Sequence, residues 1–201
     1  MAQDVDWERL YRETRHRIGN TMQMLLSLLR LQIRQGGDDA SPQTLQRLEV
    51  RMSAAAAAYA LARVVPDDAE GGRVVVDFHA LIADMAEEAH RQVEPDMAPS
   101  LEMRLEPVEV SLEDAIPLAI AAMEVLVNAV EHGGPPIAVV LGPGPEAGWT
   151  RLVVQDGGTG VPAANLRKDG IGLRISESLM RQVQGRLVLD EGPVRLEWPH
   201  H

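Results

Sequence analysis

Apolar residues recur every three or four positions near the start of the chain, which predicts a long amphipathic helix from about Asp6 to Gln35. Gly36 and Gly37 would end this helix, and a short turn leads into a second helix that reaches about Val65. The wide apolar face of the first helix comprises Leu10, Tyr11, Ile18, Met22, Leu25, Leu26, Leu29 and Ile33. A hairpin of two such helices leaves one apolar face uncovered. We therefore predict a homodimer in which two hairpins form a four-helix bundle.

The polar side of the first helix carries one candidate reactive side chain, His16. Because residues three or four positions apart share a helix face, His16 lies with Arg12 and Asn20. An imidazole on the outward side of a helix is well placed to meet a reactive partner. Taken alone, however, such a residue is most often a solvated surface histidine, so the rest of the chain has to decide its role.

The pattern changes after the stretch from Pro66 to Gly72, which is rich in glycine and acidic residues and reads as a linker. Strands are predicted at 73–77, 100–105, 137–141, 150–155, 186–190 and 194–198. Helices are predicted at 78–92, 112–132 and 170–183, with Ser111 and Asp114 arranged as a capping box before the second. Helices mixed with mainly antiparallel strands predict an α+β fold, in which a helical layer covers a sheet. The predicted domains are a helical hairpin at 1–66 and an α/β sandwich at 73–199.

Composition and charge narrow the range of functions. The net charge of -11 over 201 residues argues against a nucleic-acid partner, because a phosphate backbone needs a basic footprint. The absence of cysteine excludes disulfides and thiolate chemistry. No apolar run approaches the roughly 20 residues of a membrane span, and the N-terminus lacks the pattern of a signal peptide. We therefore expect a cytoplasmic protein with no membrane partner.

The first helix is locally basic, with arginines at positions 9, 12, 15, 17, 30 and 34. This surface either binds an acidic partner protein or a phosphate, or balances the acidic second half of the chain.

A polar stripe marks the predicted helix at 112–132. Glu124, Asn128 and His132 recur every four residues on a helix that is otherwise rich in Ala, Val, Leu and Ile. A carboxylate, an amide oxygen and an imidazole could hold a hydrated Mg²⁺ and approach phosphates. The same stripe would also suit a plain solvent-facing side of the helix.

Two glycine-rich segments follow. Asp156 comes directly after a predicted strand and precedes Gly158 and Gly160, so its carboxylate could accept a hydrogen bond from an adenine amino group. Gly170 and Gly172 open a predicted helix, whose free backbone N–H groups attract phosphate. Taken alone, the first segment is an ordinary turn signal, and the second is weak evidence for a phosphate-binding site.

In this order, the three segments resemble the N, G1 and G2 boxes of the Bergerat ATP-binding fold of sensor histidine kinases and gyrase. The run from Glu13 to Gln32, which contains His16-Arg17-Ile18-Gly19-Asn20, resembles the phosphoacceptor box of the HWE histidine kinases and their close sister group. The resemblance covers about residues 8–190. It implies an ATP-dependent protein-histidine kinase that autophosphorylates His16 and passes the phosphoryl group to an aspartate of a response-regulator receiver domain.

The resemblance also implies roles for single residues. Asn128 would ligate Mg²⁺, Glu124 would assist catalysis or position the metal through water, and Asp156 would read adenine. The rest of the ATP site would comprise His132, Gly158, Gly160, Lys168, Gly170 and Gly172. The segment 163–169, which includes Arg167 and Lys168, would form a short lid over the nucleotide.

The match departs from the family pattern at three places. Glu131 stands where a phosphate-side Lys is usual, and Val154-Gln155-Asp156 replaces the Trp-x-Glu of the HWE branch, which favours the sister group. Gly19 replaces the usual Lys and should cost the helix about 1 kcal/mol relative to alanine.

Two other functions stay open at this stage. One is a histidine phosphotransferase whose ATP domain has degenerated, and the other is an anti-sigma-type serine kinase or partner-switching regulator. The short stretch before His16 predicts either a piece of a longer kinase or a kinase that receives its signal from a separate sensor protein. We also expect the basic surface of the first helix to dock the receiver domain.

Overall fold

A computed structural model describes residues 7–36, 42–66, 72–91, 100–157, 171–189 and 192–200. Its helices are α1 (Trp7–Gly36), α2 (Pro42–Ala60), α3 (Phe78–Arg91), α4 (Leu112–His132) and α5 (Ile171–Gln182). Its strands are β1 (Ala62–Val65), β2 (Arg73–Asp77), β3 (Leu101–Leu105), β4 (Glu109–Ser111), β5 (Ile137–Pro143), β6 (Trp149–Gln155), β7 (Arg186–Val188) and β8 (Val194–Pro199). Within these ranges, no helix combines the length and the apolar character needed to cross a bilayer.

The strands form two sheets. The larger has the order β3-β5-β6-β8-β7, in which only the β3–β5 pair is parallel, and the smaller has the order β1-β2-β4 and is antiparallel. The prediction of a mixed α+β fold with mainly antiparallel strands is therefore confirmed.

Helix α4 is the central element of the core. It packs against α2, α3 and α5 and contacts β6. The residues from Ala115 to Leu126 are all buried, including the carboxylate side chain of Glu124. Its start is capped as predicted, because Ser111 Oγ accepts the Asp114 backbone N–H at 3.1 Å and donates to Asp114 Oδ2 at 2.8 Å.

The predicted end of the second helix is wrong by five residues. Helix α2 ends at Ala60, and residues 62–65 form β1, which pairs antiparallel with β2 across the predicted linker. Val64 and Val65 are β-branched, and the residue before Pro66 is disfavoured in the helical region, so this stretch prefers extended backbone. The sheet supplies the backbone hydrogen bonds that the helix would have provided. Strand β4 is too short to have produced a sequence signal.

The predicted apolar face of α1 is only partly buried within the chain. Leu25 is buried, together with Leu28, which the predicted face did not include, and Thr21 Oγ1 lies 3.0 Å from the Tyr59 hydroxyl of α2. On another side of α1, large apolar side chains are exposed, and they comprise Trp7, Tyr11, Ile18, Met22 and Leu26. Leu45 and Met52 of α2 are exposed as well. The four-helix bundle stays a prediction, and these exposed residues are the surface available for it.

Candidate functional site

The loops that follow α4 and β6 meet at one point. A methyl group on Gly133, the residue after α4, would lie 2.7 Å from Asp156 Cγ. The backbone N–H of Gly157 donates to the Gly134 carbonyl at 2.6 Å. The close approach requires glycine at position 133, and it brings the Asp156 carboxylate to the C-terminal end of α4.

The first turn of α5 lies directly against the polar stripe of α4. A methyl group on Gly172 would overlap Glu124 Oε2 and would lie 3.8 Å from Asn128 Nδ2. The start of α5 is tied to α4 by Ser176, whose Oγ lies 3.1 Å from the Gly172 carbonyl oxygen and 3.3 Å from that of Ala121. The structure therefore brings Glu124, Asn128 and Gly172 together, although Gly172 follows Glu124 by 48 positions in the sequence.

Two arginines of α2 extend this site. Arg51 is fully buried, and its Nε donates to Glu124 Oε1 at 2.6 Å. Arg47, one turn earlier, lies 3.9 Å from Glu124 Oε2 and 3.4 Å from Glu131 Oε2. The sequence interpretation missed both residues. The available signal was weak, since it consists only of two arginines four positions apart, which therefore share one face of the helix.

His16 lies exposed on α1, and Asn20 Nδ2 is 3.3 Å from its Nδ1. Beside it is a cavity of about 570 Å³, lined by α1 residues that include Arg12 and Asn20, by the start of α4 at Glu113 and Asp114, and by the end of α5. The rise of 1.5 Å per residue places Asn128 about 21 Å along α4 from Asp114. His16 and the Glu124–Asn128 stripe are therefore at opposite ends of α4.

Several of the predicted ATP-site residues lie outside the described part of the chain. These are Gly158, Gly160, Lys168 and Gly170, together with the predicted lid at 163–169. His132 is the last residue of α4, and its side chain also lies outside the described set.

The described residues suit a magnesium nucleotide better than a metal held by protein alone. Within the described residues there is no group of three or more His, Asp or Glu side chains that could hold a metal ion. Mg²⁺ is commonly bound through one or two protein oxygen ligands, water and the phosphates of a substrate. The Asn128 amide can supply such a ligand, Glu124 lies beside it on the same helix with its carboxylate paired to Arg51, and Gly172 keeps the neighbouring space free of a side chain.

Comparisons with known proteins agree on one family. The HisKA_2 sequence profile, described as histidine kinase, matches residues 13–91, a range that contains His16 and Arg51. The chain is 27% identical over 202 residues to the blue-light-activated histidine kinase 2 of Erythrobacter litoralis strain HTCC2594. That match covers 94% of this chain and 55% of the relative, so the chain spans about half the length of the curated protein.

The fold is also similar to solved structures. The histidine kinase domain of the Erythrobacter litoralis EL346 blue-light-activated histidine kinase matches with a TM-score of 0.66 and 21% identity, covering 95% of this chain and 93% of that one. A second structure of the EL346 kinase gives a TM-score of 0.64 and 21% identity, covering 96% of this chain and 63% of that one. At this identity the structural likeness speaks for the fold alone, and the sequence profile covers residues 13–91. The histidine kinases are therefore the family that this chain resembles, with the HisKA_2 match at residues 13–91.

Proposed function

We propose that this chain is an ATP-dependent protein-histidine kinase of two-component signalling, which phosphorylates His16 and passes the phosphoryl group to an aspartate of a response-regulator receiver domain. The observation that carries the proposal is the meeting of Glu124, Asn128 and Gly172 in a chain whose HisKA_2 region also exposes His16. Two features of the fold support the proposal, since the residues of the proposed nucleotide site meet at one end of α4 and His16 is exposed on α1.

ATP with Mg²⁺ is the phosphoryl donor in this proposal. Asn128 would ligate the metal ion, which would neutralise charge on the phosphates, and Glu124 would assist catalysis or position the metal through water. Asp156 would accept a hydrogen bond from the adenine amino group. The backbone N–H groups at the start of α5 would face the phosphates, with Gly172 allowing a close approach.

The proposed chemistry is a transfer in two steps. First, a lone pair of the His16 imidazole forms a bond to the γ-phosphorus, the bond to the β,γ-bridging oxygen breaks, and ADP leaves with that electron pair. The imidazolium then releases its other ring proton. In the second step an aspartate oxygen of the receiver attacks phosphorus, the P–N bond breaks, and the imidazole takes up a proton again. Both steps depend mainly on positioning and charge stabilisation.

The proposed partners are a second copy of the chain and the receiver domain. The exposed apolar residues of α1 and α2 support the homodimer, because a contiguous apolar surface of this kind commonly marks an interface. Since His16 shares a cavity with Asp114 at the start of α4, and Asn128 lies about 21 Å further along that helix, transfer needs either movement of the α1–α2 hairpin or the His16 of a second copy. A separate sensor protein would supply the signal.

The test is incubation with γ-³²P-labelled ATP and Mg²⁺, followed by treatment of the labelled protein with acid and with base. Phosphohistidine is acid-labile and base-stable, so we expect a label with these properties in the wild type and no label in His16→Ala. His90→Ala is the matched control, because it removes a histidine of α3 far from the proposed chemistry in sequence, and it should label normally. A label that survives in His16→Ala would overturn the assignment of His16.

A histidine phosphotransferase with a degenerate ATP domain is the second candidate. Two observations in the second half of α4 favour it. Glu124 is engaged in an ion pair with Arg51, and the acidic Glu131 lies beside Arg47. This function predicts that the protein does not bind ATP but accepts phosphate from a phosphorylated receiver. The anti-sigma-type regulator is disfavoured, because the HisKA_2 match covers the helical hairpin that this class lacks.

A further inference from the structure

A buried ion pair joins the helical hairpin to the polar stripe of α4. Arg51 has no exposed side-chain surface and Glu124 has 3%, and the two meet at 2.6 Å between Nε and Oε1. They are 73 positions apart in the sequence and belong to different predicted domains. The contact therefore depends on how α2 lies against α4.

The pair is not needed merely to pack the two helices. Ala54, Ala55 and Ala58 lie on the same face of α2 as Arg51 and are buried, so the backbones can approach closely through small side chains. Removing two charges from water is costly, and a buried ion pair often stabilises no better than apolar residues of similar volume. What such a pair does supply is a defined register between the two helices.

The same contact covers the carboxylate that the proposed reaction uses. Glu124 Oε1 is bonded to Arg51, while Oε2 faces Gly172 and has Arg47 at 3.9 Å. In this arrangement neither oxygen is open to a reactant, and His16 is at the other end of α4. A phosphoacceptor histidine from a second copy would meet the same covered carboxylate.

We propose that Arg51 is a positioning residue that withholds Glu124 from phosphoryl transfer, and that α2 must leave α4 before the reaction can proceed. The inference rests on the proposed kinase function and deepens it by assigning a control point to the α2–α4 contact. Arg47 assists from the rim of the contact through Glu124 and Glu131.

A reversible crosslink tests this without altering Arg51. The chain has no cysteine, so Arg47→Cys with Glu131→Cys creates a single pair of thiols that a bis-methanethiosulfonate reagent can join. We expect the crosslinked protein to label His16 at least tenfold more slowly than the same protein after reduction, while both bind a fluorescent ATP analogue. The control pair is Glu177→Cys with Arg181→Cys, an exposed pair within α5 whose crosslink leaves α2 free and should not change the rate. Equal labelling rates before and after reduction of the Arg47–Glu131 crosslink would overturn the proposal.

Two variants test Arg51 itself, with hydrogen exchange as the readout that does not depend on activity. Arg51→Met removes the charge at similar size, and we expect faster amide exchange in α2 and labelling of His16 at least threefold faster than in the wild type. Arg51→Lys keeps a cation and should restore most of the slow exchange. Unchanged α2 exchange in Arg51→Met, or labelling as poor as in Glu124→Gln, would show that Arg51 does not restrain Glu124. If the methionine variant does not fold, the crosslink comparison decides.

The failure of this inference can be told apart from the failure of the kinase proposal. If no form of the protein acquires a histidine label, including the reduced protein and the Arg51 variants, the kinase proposal itself is wrong. Labelling that ignores the crosslink, in a protein whose wild type does label, counts against the role of Arg51 alone.

Discussion

The side-chain amide of Asn20 lies 3.3 Å from Nδ1 of His16, one turn further along α1. The amide atom in contact is Nδ2, which can only donate, so Nδ1 accepts this hydrogen bond and carries the lone pair. The proton of the neutral ring then lies on Nε2. The contact therefore leaves neither ring nitrogen with a free lone pair for attack on phosphorus.

We accordingly predict that Asn20→Ala speeds His16 phosphorylation, because it frees the Nδ1 lone pair and no longer favours the Nε2-protonated tautomer. A hydrogen bond of about 0.5–1.5 kcal/mol corresponds to a gain of about two- to twelvefold in rate. The ¹⁵N shifts of the His16 ring, measured by NMR, should move away from the Nε2-protonated tautomer. Asn20→Asp should move them further in the same direction, since a carboxylate can only accept and would bind a proton on Nδ1. Gln23→Ala is the control on the same helix, and a gain of rate there equal to that of Asn20→Ala would contradict this account.

Asp156 should determine the choice between adenine and guanine nucleotides. Its carboxylate accepts from the amino group of adenine, whereas guanine presents a carbonyl oxygen at the same ring position. A charge-assisted hydrogen bond is worth about 1.5–3 kcal/mol, so the wild type should bind ATP at least tenfold more tightly than GTP. Asp156→Asn should reduce this preference, because an amide can donate to the guanine carbonyl. Titration calorimetry with the two nucleotides gives the ratio, and an unchanged ratio would remove Asp156 from base recognition.

Gly172→Ala should damage both stability and nucleotide binding, because its methyl group would overlap Glu124 Oε2. Overpacking of this kind lowers the free energy of unfolding by about 1–3 kcal/mol. Gly19→Ala is a matched control, since nothing lies within 4 Å of its added methyl group. That variant should gain about 1 kcal/mol from helix propensity. Urea unfolding and the affinity for an ATP analogue measure the two effects, and equal affinities for the two variants would place the nucleotide away from Gly172.

The exposed apolar residues of α1 should mediate self-association. Met22→Glu and Leu26→Glu place charges on this surface, and the lost burial of one such side chain, about 1.5–3 kcal/mol, should weaken the dimer roughly tenfold or more. Sedimentation velocity over a range of concentrations measures the shift. Gln23→Glu is the control, because Gln23 is exposed on the polar side of α1. Identical sedimentation of all three variants and the wild type would place the interface elsewhere.

Local sequence signals located most of the helices and strands. The long apolar period of α1 and the capping box of α4 act within a few residues, so they could be interpreted without knowledge of the fold. The end of α2 was wrong because residues 62–65 gain their backbone partners from β2, which lies further along the chain. The prediction of the apolar face of α1 was wrong in part, because the face did not include Leu28, which is buried beside Leu25, and it did include Met22 and Leu26, which are exposed.

By itself the sequence determined the order of the elements, the resemblance to a histidine kinase, and the polar stripe that holds Glu124 and Asn128. Only the tertiary structure decided that Glu124 meets Arg51 of the hairpin and that His16 lies at the other end of α4. The physical reason is the distance along the chain over which each interaction acts. Helix propensity, capping and periodicity depend on neighbours within one or two turns, whereas a buried charge depends on which faces of distant helices meet. No sequence motif therefore marks Arg51, and its proposed control of Glu124 follows from the packing of α2 on α4.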